Sequence, residues 1–302
     1  MRKTVLLLTF AMCIFMTACS NDKVADIPSQ ETEVKQEQEE TETPATTKND
    51  DSVTDSSGYF ILKDGGKTID GLTEEGRKQT VLVIPEGVTS LEGLYVCLHG
   101  SAAAEEIRFA SDQDIDIGDT FSGSETVKRV ILPKGLTEIP DHAFDMCESL
   151  ESISIPAGVT RIGEWAFNGC SGLNEVTFEG DKCTYIGPYA FSDTGLESIT
   201  LPEGLETVEE DSFSIAENLK SVTFPSTIKH VGDSAFATTG ITEIHFPAGV
   251  EGFSFGNIPF GADALNITVY IVKDSWMDLN RDQWNIGLVS DTNGFKEILY
   301  EE

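Results

Sequence analysis

The chain has 302 residues, 52 acidic and 20 basic, giving a formal charge of −32 with histidine neutral. Hydrophobic residues make up 39% of it, enough for a packed core over most of the length and too many for a wholly disordered chain. Acidity on this scale excludes a general nucleic-acid binder, which must displace phosphate counterions with basic surface, and it excludes polybasic docking on anionic lipid.

Arg2 and Lys3 precede an apolar run from Val5 to Met16, which leads into Thr17-Ala18-Cys19. A basic start, a short apolar stretch and small residues before a break predict a secretory signal over residues 1–18. The run is too short to span a bilayer as a stable helix. The setting of Cys19 resembles a bacterial lipobox, which implies that Cys19 is lipidated and becomes the first mature residue. From Ser20 to Ser57 the chain holds eleven acidic and three basic residues and no aromatic one. It has too little to bury to offset the entropy of ordering, so residues 19–57 are expected to form a lipidated, disordered acidic tether. As a coil it would span about 30–40 Å. The remaining residues, 58–302, carry 41 acidic and 15 basic side chains, so the expected folded part is itself strongly acidic.

Residues 58–80, with the turn Asp64-Gly65-Gly66 between short extended runs, read as an N-terminal cap. After them a period of about 23 residues governs the chain. Leu150-Glu151-Ser152-Ile153-Ser154-Ile155-Pro156 matches Leu196-Glu197-Ser198-Ile199-Thr200-Leu201-Pro202, and Leu219–Pro225 and Ile241–Pro247 repeat the form. Pro133, Pro156, Pro202, Pro225 and Pro247 mark the period, with Glu179 in the slot between Pro156 and Pro202. Further columns run Leu136, Val159, Cys183, Leu205, Ile228, Val250 and then Ile139, Ile162, Ile186, Val208, Val231, Phe253. Each repeat closes on a pair such as Ala143-Phe144, Ala166-Phe167, Ala190-Phe191 or Ala235-Phe236. The spaced hydrophobes predict a short strand with one face inward, the proline closes it, and the Ala-Phe pair drives a ring into the core. One coil cannot bury its own apolar side, but stacked coils bury one another's. Val81 to Pro85 and Ile107-Arg108-Phe109 carry the rhythm backwards, giving about eight coils with the second degenerate. The expected fold is a repeat solenoid, mostly β with short turns, over residues 81–266 and capped at both ends. Residues 267–302 are expected to supply a last strand and a C-terminal cap around Trp276, Met277 and Leu279.

These columns resemble the leucine-rich repeats of the BspA-type bacterial surface proteins, and residues 150–173 fit that pattern at nearly every defined position. Glu179-Gly180-Asp181-Lys182 departs from it, in place of Pro-x-Gly. The resemblance implies a leucine-rich-repeat fold and a surface protein, some relatives of which act as adhesins.

Chemistry-bearing residues are sparse. Cys147 and Cys170 share a column, and neighbouring coils would bring them within disulfide range. Their column continues with Thr194, Ala216 and Thr239, so a small buried residue is the preferred reading. His99, His142, His230 and His245 fall at unrelated phases of the repeat and are expected to be solvated. Asp112, Asp114, Asp116 and Asp119 alternate like calcium ligands. Ile117 and Gly123 stand where an EF-hand loop needs Gly and Glu, so a charged loop is preferred to a metal site. No nucleophile elbow or phosphate loop occurs, and no cofactor is implied. The outward columns Arg129, Ser152, Glu175, Ser198, Ser221, Glu243 and Ile131, Ser154, Thr177, Thr200, Thr223, His245 should form parallel stripes on one exposed face.

The expectation is therefore a non-enzymatic, exported protein, held to the bacterial cell membrane through its lipid, whose repeats bind an extracellular protein or glycan. An envelope scaffold with no specific ligand is the alternative. A glycan- or wall-acting enzyme would need two carboxylates converging on its substrate.

Overall fold

The computed structural model describes residues 52–100, 102–260, 266–281 and 295–301. All lie in one compact unit, Asn49–Glu302. The predicted signal, Cys19 and the tether as far as Asp51 lie outside the described residues.

The first strands, β1 (Val53–Thr54), β2 (Phe60–Lys63) and β3 (Thr68–Leu72), form an antiparallel sheet. The fold therefore starts before the tether boundary placed at Ser57, because Val53 and Thr54 pair with Leu62 and Ile61. The Asp55 carboxylate accepts the Tyr59 and Phe60 N–H groups at 3.0 and 2.8 Å and fixes the turn. After β4 (Val81–Ile84) the chain forms α1 (Glu92–Leu98), whose Leu94, Cys97 and Leu98 are buried. Gly93 admits this helix against β3, since a Cβ there would overlap the backbone of Asp70. The first coil thus closes on a helix where later ones close on an Ala-Phe turn, and the repeat pattern gave no sign of it.

The following strands are β5 (Glu106–Phe109), β6 (Arg129–Ile131), β7 (Ser152–Ile155), β8 (Arg161–Ile162), β9 (Glu175–Phe178), β10 (Tyr185–Ile186), β11 (Ser198–Thr200), β12 (Thr207–Val208), β13 (Ser221–Thr223), β14 (His230–Val231), β15 (Glu243–Phe246), β16 (Ser254–Phe255) and β17 (Thr268–Val272). Then come α2 (Trp276–Leu279) and β18 (Glu297–Glu301). The short strands β8, β10, β12, β14 and β16 form one parallel sheet. The longer strands form two, β4-β5-β6-β7-β9 and β11-β13-β15-β17-β18.

Between these faces the Ala-Phe turns are also bonded coil to coil. Phe144, Phe167, Phe191, Phe213 and Phe236 each donate N–H to the next coil at 2.7–2.8 Å. Residues flanking each pair, among them His142, Met146, Trp165, Tyr189 and Ile215, have φ of 55–62°. This conformation is costly for bulky L-residues, and here it accompanies N–H bonds to the neighbouring coil: Met146 to Asn168 at 2.7 Å and Ile215 to Ala237 at 2.9 Å. Inside, Phe121, Phe144, Phe167, Phe191, Phe213, Phe236 and Phe260 stack in one spine with ring centroids 5.0–5.6 Å apart. Phe121 belongs to the degenerate second coil and stands 23 residues before Phe144, a signal its changed neighbours hide.

Cys147 and Cys170 are free thiols, each donating to a carbonyl of the preceding coil, Phe121 at 2.7 Å and Phe144 at 3.0 Å. Burial pushes the Cys147 thiol up to about 12 and Cys183 to about 11, and it raises Cys170 well above its ordinary value. At the C-terminal end Ser275 caps α2, its hydroxyl accepting the Asp278 N–H at 3.3 Å, and Met277 is buried. β17 is not the last strand. β18 pairs with it in parallel from Thr268↔Glu297 to Val272↔Glu301.

Candidate functional site

On the long-strand faces every second side chain points out, and parallel register lines these residues up. Ser198, Ser221, Glu243, Thr268 and Glu297 form one row, in which Thr268 is buried and donates to Glu297 at 3.2 Å, and Thr200, Thr223, His245 and Tyr270 form the next. In the other sheet Ser152 pairs with Glu175 and Ser154 with Thr177. Arg129 pairs with Ser152, but the ladder ends there, so Ile131, exposed at 48%, is not registered on Ser154.

The stripes expected from the sequence are therefore not continuous. No ladder joins β9 to β11. At strand entry Glu151, Asn174, Lys220 and Thr242 each donate N–H to the preceding coil at 2.9–3.1 Å; Glu197, the equivalent residue of β11, has no such bond to Asn174. At strand exit Leu201 donates to Thr223 and Phe224 to His245, both at 3.0 Å, whereas Phe178 of β9 makes no bond to β11. A cleft of about 780 Å³ opens between the two strands. Val176 and Phe178 are half-buried beside it, while Ile153, Ile155, Ile199 and Leu201 at matching positions are buried.

An extra residue coincides with the break. Four positions separate Ile155 from Val159 and Leu201 from Leu205, but five separate Phe178 from Cys183. The enlarged turn packs on the next coil so closely that a Cβ on Gly204 would overlap the Asp181 carbonyl. Counting this spacing, and not only noting the missing proline, is the sequence signal that finds the site.

Other predicted residues have local duties. His245 is half-buried, stacked on Tyr270 at 4.5 Å with its Nδ1 2.7 Å from Glu301 Oε1, so β18 engages it and it is not a freely solvated recognition residue. His142 lies 3.1 Å from Asp145, His230 3.0 Å from Ser254, and His99 2.9 Å from the Tyr95 carbonyl. The Asp112–Asp119 carboxylates do not converge. Asp112 accepts the Lys134 N–H, Asp114 the Thr137 hydroxyl at 3.1 Å, and Asp116 the Gly118 N–H at 2.8 Å. No three metal-ligating side chains group together among the described residues. A surface row that the repeat columns did not reveal runs His142, Trp165, Tyr189, with centroids 6.3 and 4.3 Å apart and nearly parallel rings. The neighbouring Asp211 charge, with burial, raises the Tyr189 phenol.

Parallel coils of about 23 residues with a long-strand face, a short-strand face and an aromatic spine define a leucine-rich-repeat β-solenoid. The sequence matches the BspA type leucine rich repeat region, in six copies, over residues 96–213 and 137–257. That is more than half of the chain, which belongs to this family. Solved structures similar to it include a leucine-rich repeat protein from Bacteroides ovatus, 23% identical over 80% of this chain and 69% of that one, with a TM-score of 0.48. The leucine-rich repeat protein of T. pallidum is 21% identical over 68% and 86% of the two chains, with a TM-score of 0.37. A leucine rich cell surface protein from Faecalibacterium prausnitzii is 17% identical over 83% and 95%, with a TM-score of 0.30. No curated protein sequence matches the chain. Among the described residues no helix is long and apolar enough to cross a membrane.

Proposed function

We propose that this chain is an exported lipoprotein whose solenoid binds an extracellular protein or glycan along its long-strand face. The observation that carries the reading is the register that sets Ser198, Ser221 and Glu243 beside Thr200 and Thr223 on one exposed surface. Repeat folds use such surfaces for recognition because contacts add along the array. The leader and Cys19 support the anchor, and the acidic repeats favour ligands with basic patches.

The enzymatic alternative has carboxylates to draw on, since Glu179 and Glu203 line the cleft. They turn to opposite sides: Glu179 accepts the Ser154 hydroxyl at 2.9 Å and Glu203 the Ser226 hydroxyl at 2.8 Å. Such a pair is held apart and does not converge on a glycosidic bond.

Immobilised protein incubated with host matrix, mucin and bacterial wall fractions should enrich a discrete partner, and Thr200→Lys with Thr223→Lys should abolish the enrichment. Enrichment of nothing would favour the scaffold. Labelled palmitate should enter the wild type and not Cys19→Ala; equal labelling of both would remove the anchor.

A further inference from the structure

We infer that the cleft between β9 and β11 receives two basic side chains of a protein partner, held about 13 Å apart, with arginine preferred at both places. This deepens the proposed binding function and rests on it. The opening is a slot for side chains and not for a further strand, because Cα atoms of β9 and β11 come within 8 Å of one another.

The floor of the slot is apolar and only partly covered. Val176, Phe178, Ile199, Leu201 and Phe224 line it, and the first two are half-buried where Ile153 and Ile155 of the preceding coil are buried. Phe224 and Phe246, at the position of Phe178 in later coils, stack at 4.8 Å, whereas Phe178 stacks on no ring among the described residues. An aromatic ring with open surface takes a guanidinium over its face, and the methylenes of a long basic side chain cover the aliphatic remainder.

Carboxylates stand at both ends of this floor. Glu175 opens β9, while Glu179, Asp181 and Glu203 follow the exits of β9 and β11. Four positions separate Glu175 from Glu179, about 13 Å of strand. No lysine, arginine or histidine lines the cleft. Glu179 and Glu203 are engaged by Ser154 and Ser226, but the Glu175 and Asp181 carboxylates make no hydrogen bond or ion pair among the described residues. Both are exposed and so open to a partner's cations. An arginine fork meets a carboxylate through two parallel bonds. An acidic segment is repelled, and a neutral glycan leaves both charges unpaired.

The test is fluorescence anisotropy with a labelled Arg-Pro-Pro-Pro-Arg peptide titrated into the purified full-length protein. Its spacer is stiff, sets the arginines about 12 Å apart and offers no main-chain N–H to a strand edge. The peptide should bind. Citrulline, the uncharged isostere of arginine, should weaken binding about fivefold at either end and about twentyfold at both. Glu175→Lys combined with Asp181→Lys should weaken it at least about tenfold. Glu217→Lys with Glu251→Lys makes the same charge change at exposed positions outside the cleft lining and should leave it within about twofold. Phe178→Leu keeps the apolar bulk without the ring and should cost about threefold. No binding, equal loss in both double variants, or full binding by the doubly citrulline peptide would overturn the proposal. Displacement of the peptide by a chitin tetrasaccharide would overturn it in favour of a glycan. If a natural fraction is enriched equally by wild type and by the Glu175/Asp181 variant, the cleft is refuted and the broader binding reading survives. If the peptide binds as expected and no fraction is enriched, the cleft stands and that broader reading fails.

Discussion

Between the coil that carries β9 and the coil that carries β11, one side of the solenoid is closed and the other open. On the turn side Phe191 and Phe213 stack at 5.2 Å, and the Phe191 N–H reaches Ser212 at 2.7 Å. On the short-strand side β10 pairs with both β8 and β12. On the long-strand side the ladder is missing and a cleft takes its place. A single extra residue is accommodated where strands meet solvent, because an unpaired edge there can bond to water. It is not accommodated in the spine, where a gap would forfeit ring contacts that nothing replaces.

The largest expected effect tests how closed the turn side is. With its thiol held near 12 against an ordinary 9.0, Cys147 should react with iodoacetamide at pH 8 about a thousandfold more slowly in the folded protein than in urea. Mass spectrometry of the alkylated peptides reads this out, and rapid labelling in native buffer would mean that the turn side opens as well. Because the folded state keeps protons that the unfolded chain releases, Cys147 and Cys183 also make stability fall as pH rises above about 9.

Next in size is the contrast between two phenylalanines. Phe167→Ala removes a fully buried ring from the middle of the spine and should cost about 3–5 kcal/mol. Phe178→Ala removes a half-buried ring from the cleft and should cost about 1–2 kcal/mol. Urea unfolding of both variants measures the difference, and equal losses would mean that the cleft closes in solution.

The smallest effect is a gain. Ile215 is exposed and β-branched, yet it has φ of 62°, where Gly169 and Asp193 stand in preceding coils. Ile215→Asn keeps the N–H bond to Ala237 and relieves the strain, so stability should rise by about 1 kcal/mol in thermal unfolding. A loss would show that the isoleucine side chain packs where its exposure says it does not.

Much of this architecture was legible because a repeat states each instruction several times. The columns through Val159, Ile162 and Ala166-Phe167 recur at a fixed period, and no alternative register buries all of them, so the period alone determined the solenoid. Non-repeating parts were read less well. Neither α1 nor β18 has a second copy to compare with, and Val53–Thr54 looked like tether because its ordering comes from pairing with β2, a partner that local composition does not reveal.

The candidate site divides in the same way. Alternation along each strand determined which residues face outward, Ser198 and Thr200 among them, because side chains in a strand alternate by geometry alone. Whether neighbouring stripes join was decided only by tertiary structure. The extra residue after Phe178 was present in the sequence, but its strain could have been absorbed on any of three sides. Packing kept the spine and the short-strand ladder intact, where lost contacts cannot be replaced, and released the one edge that water can satisfy.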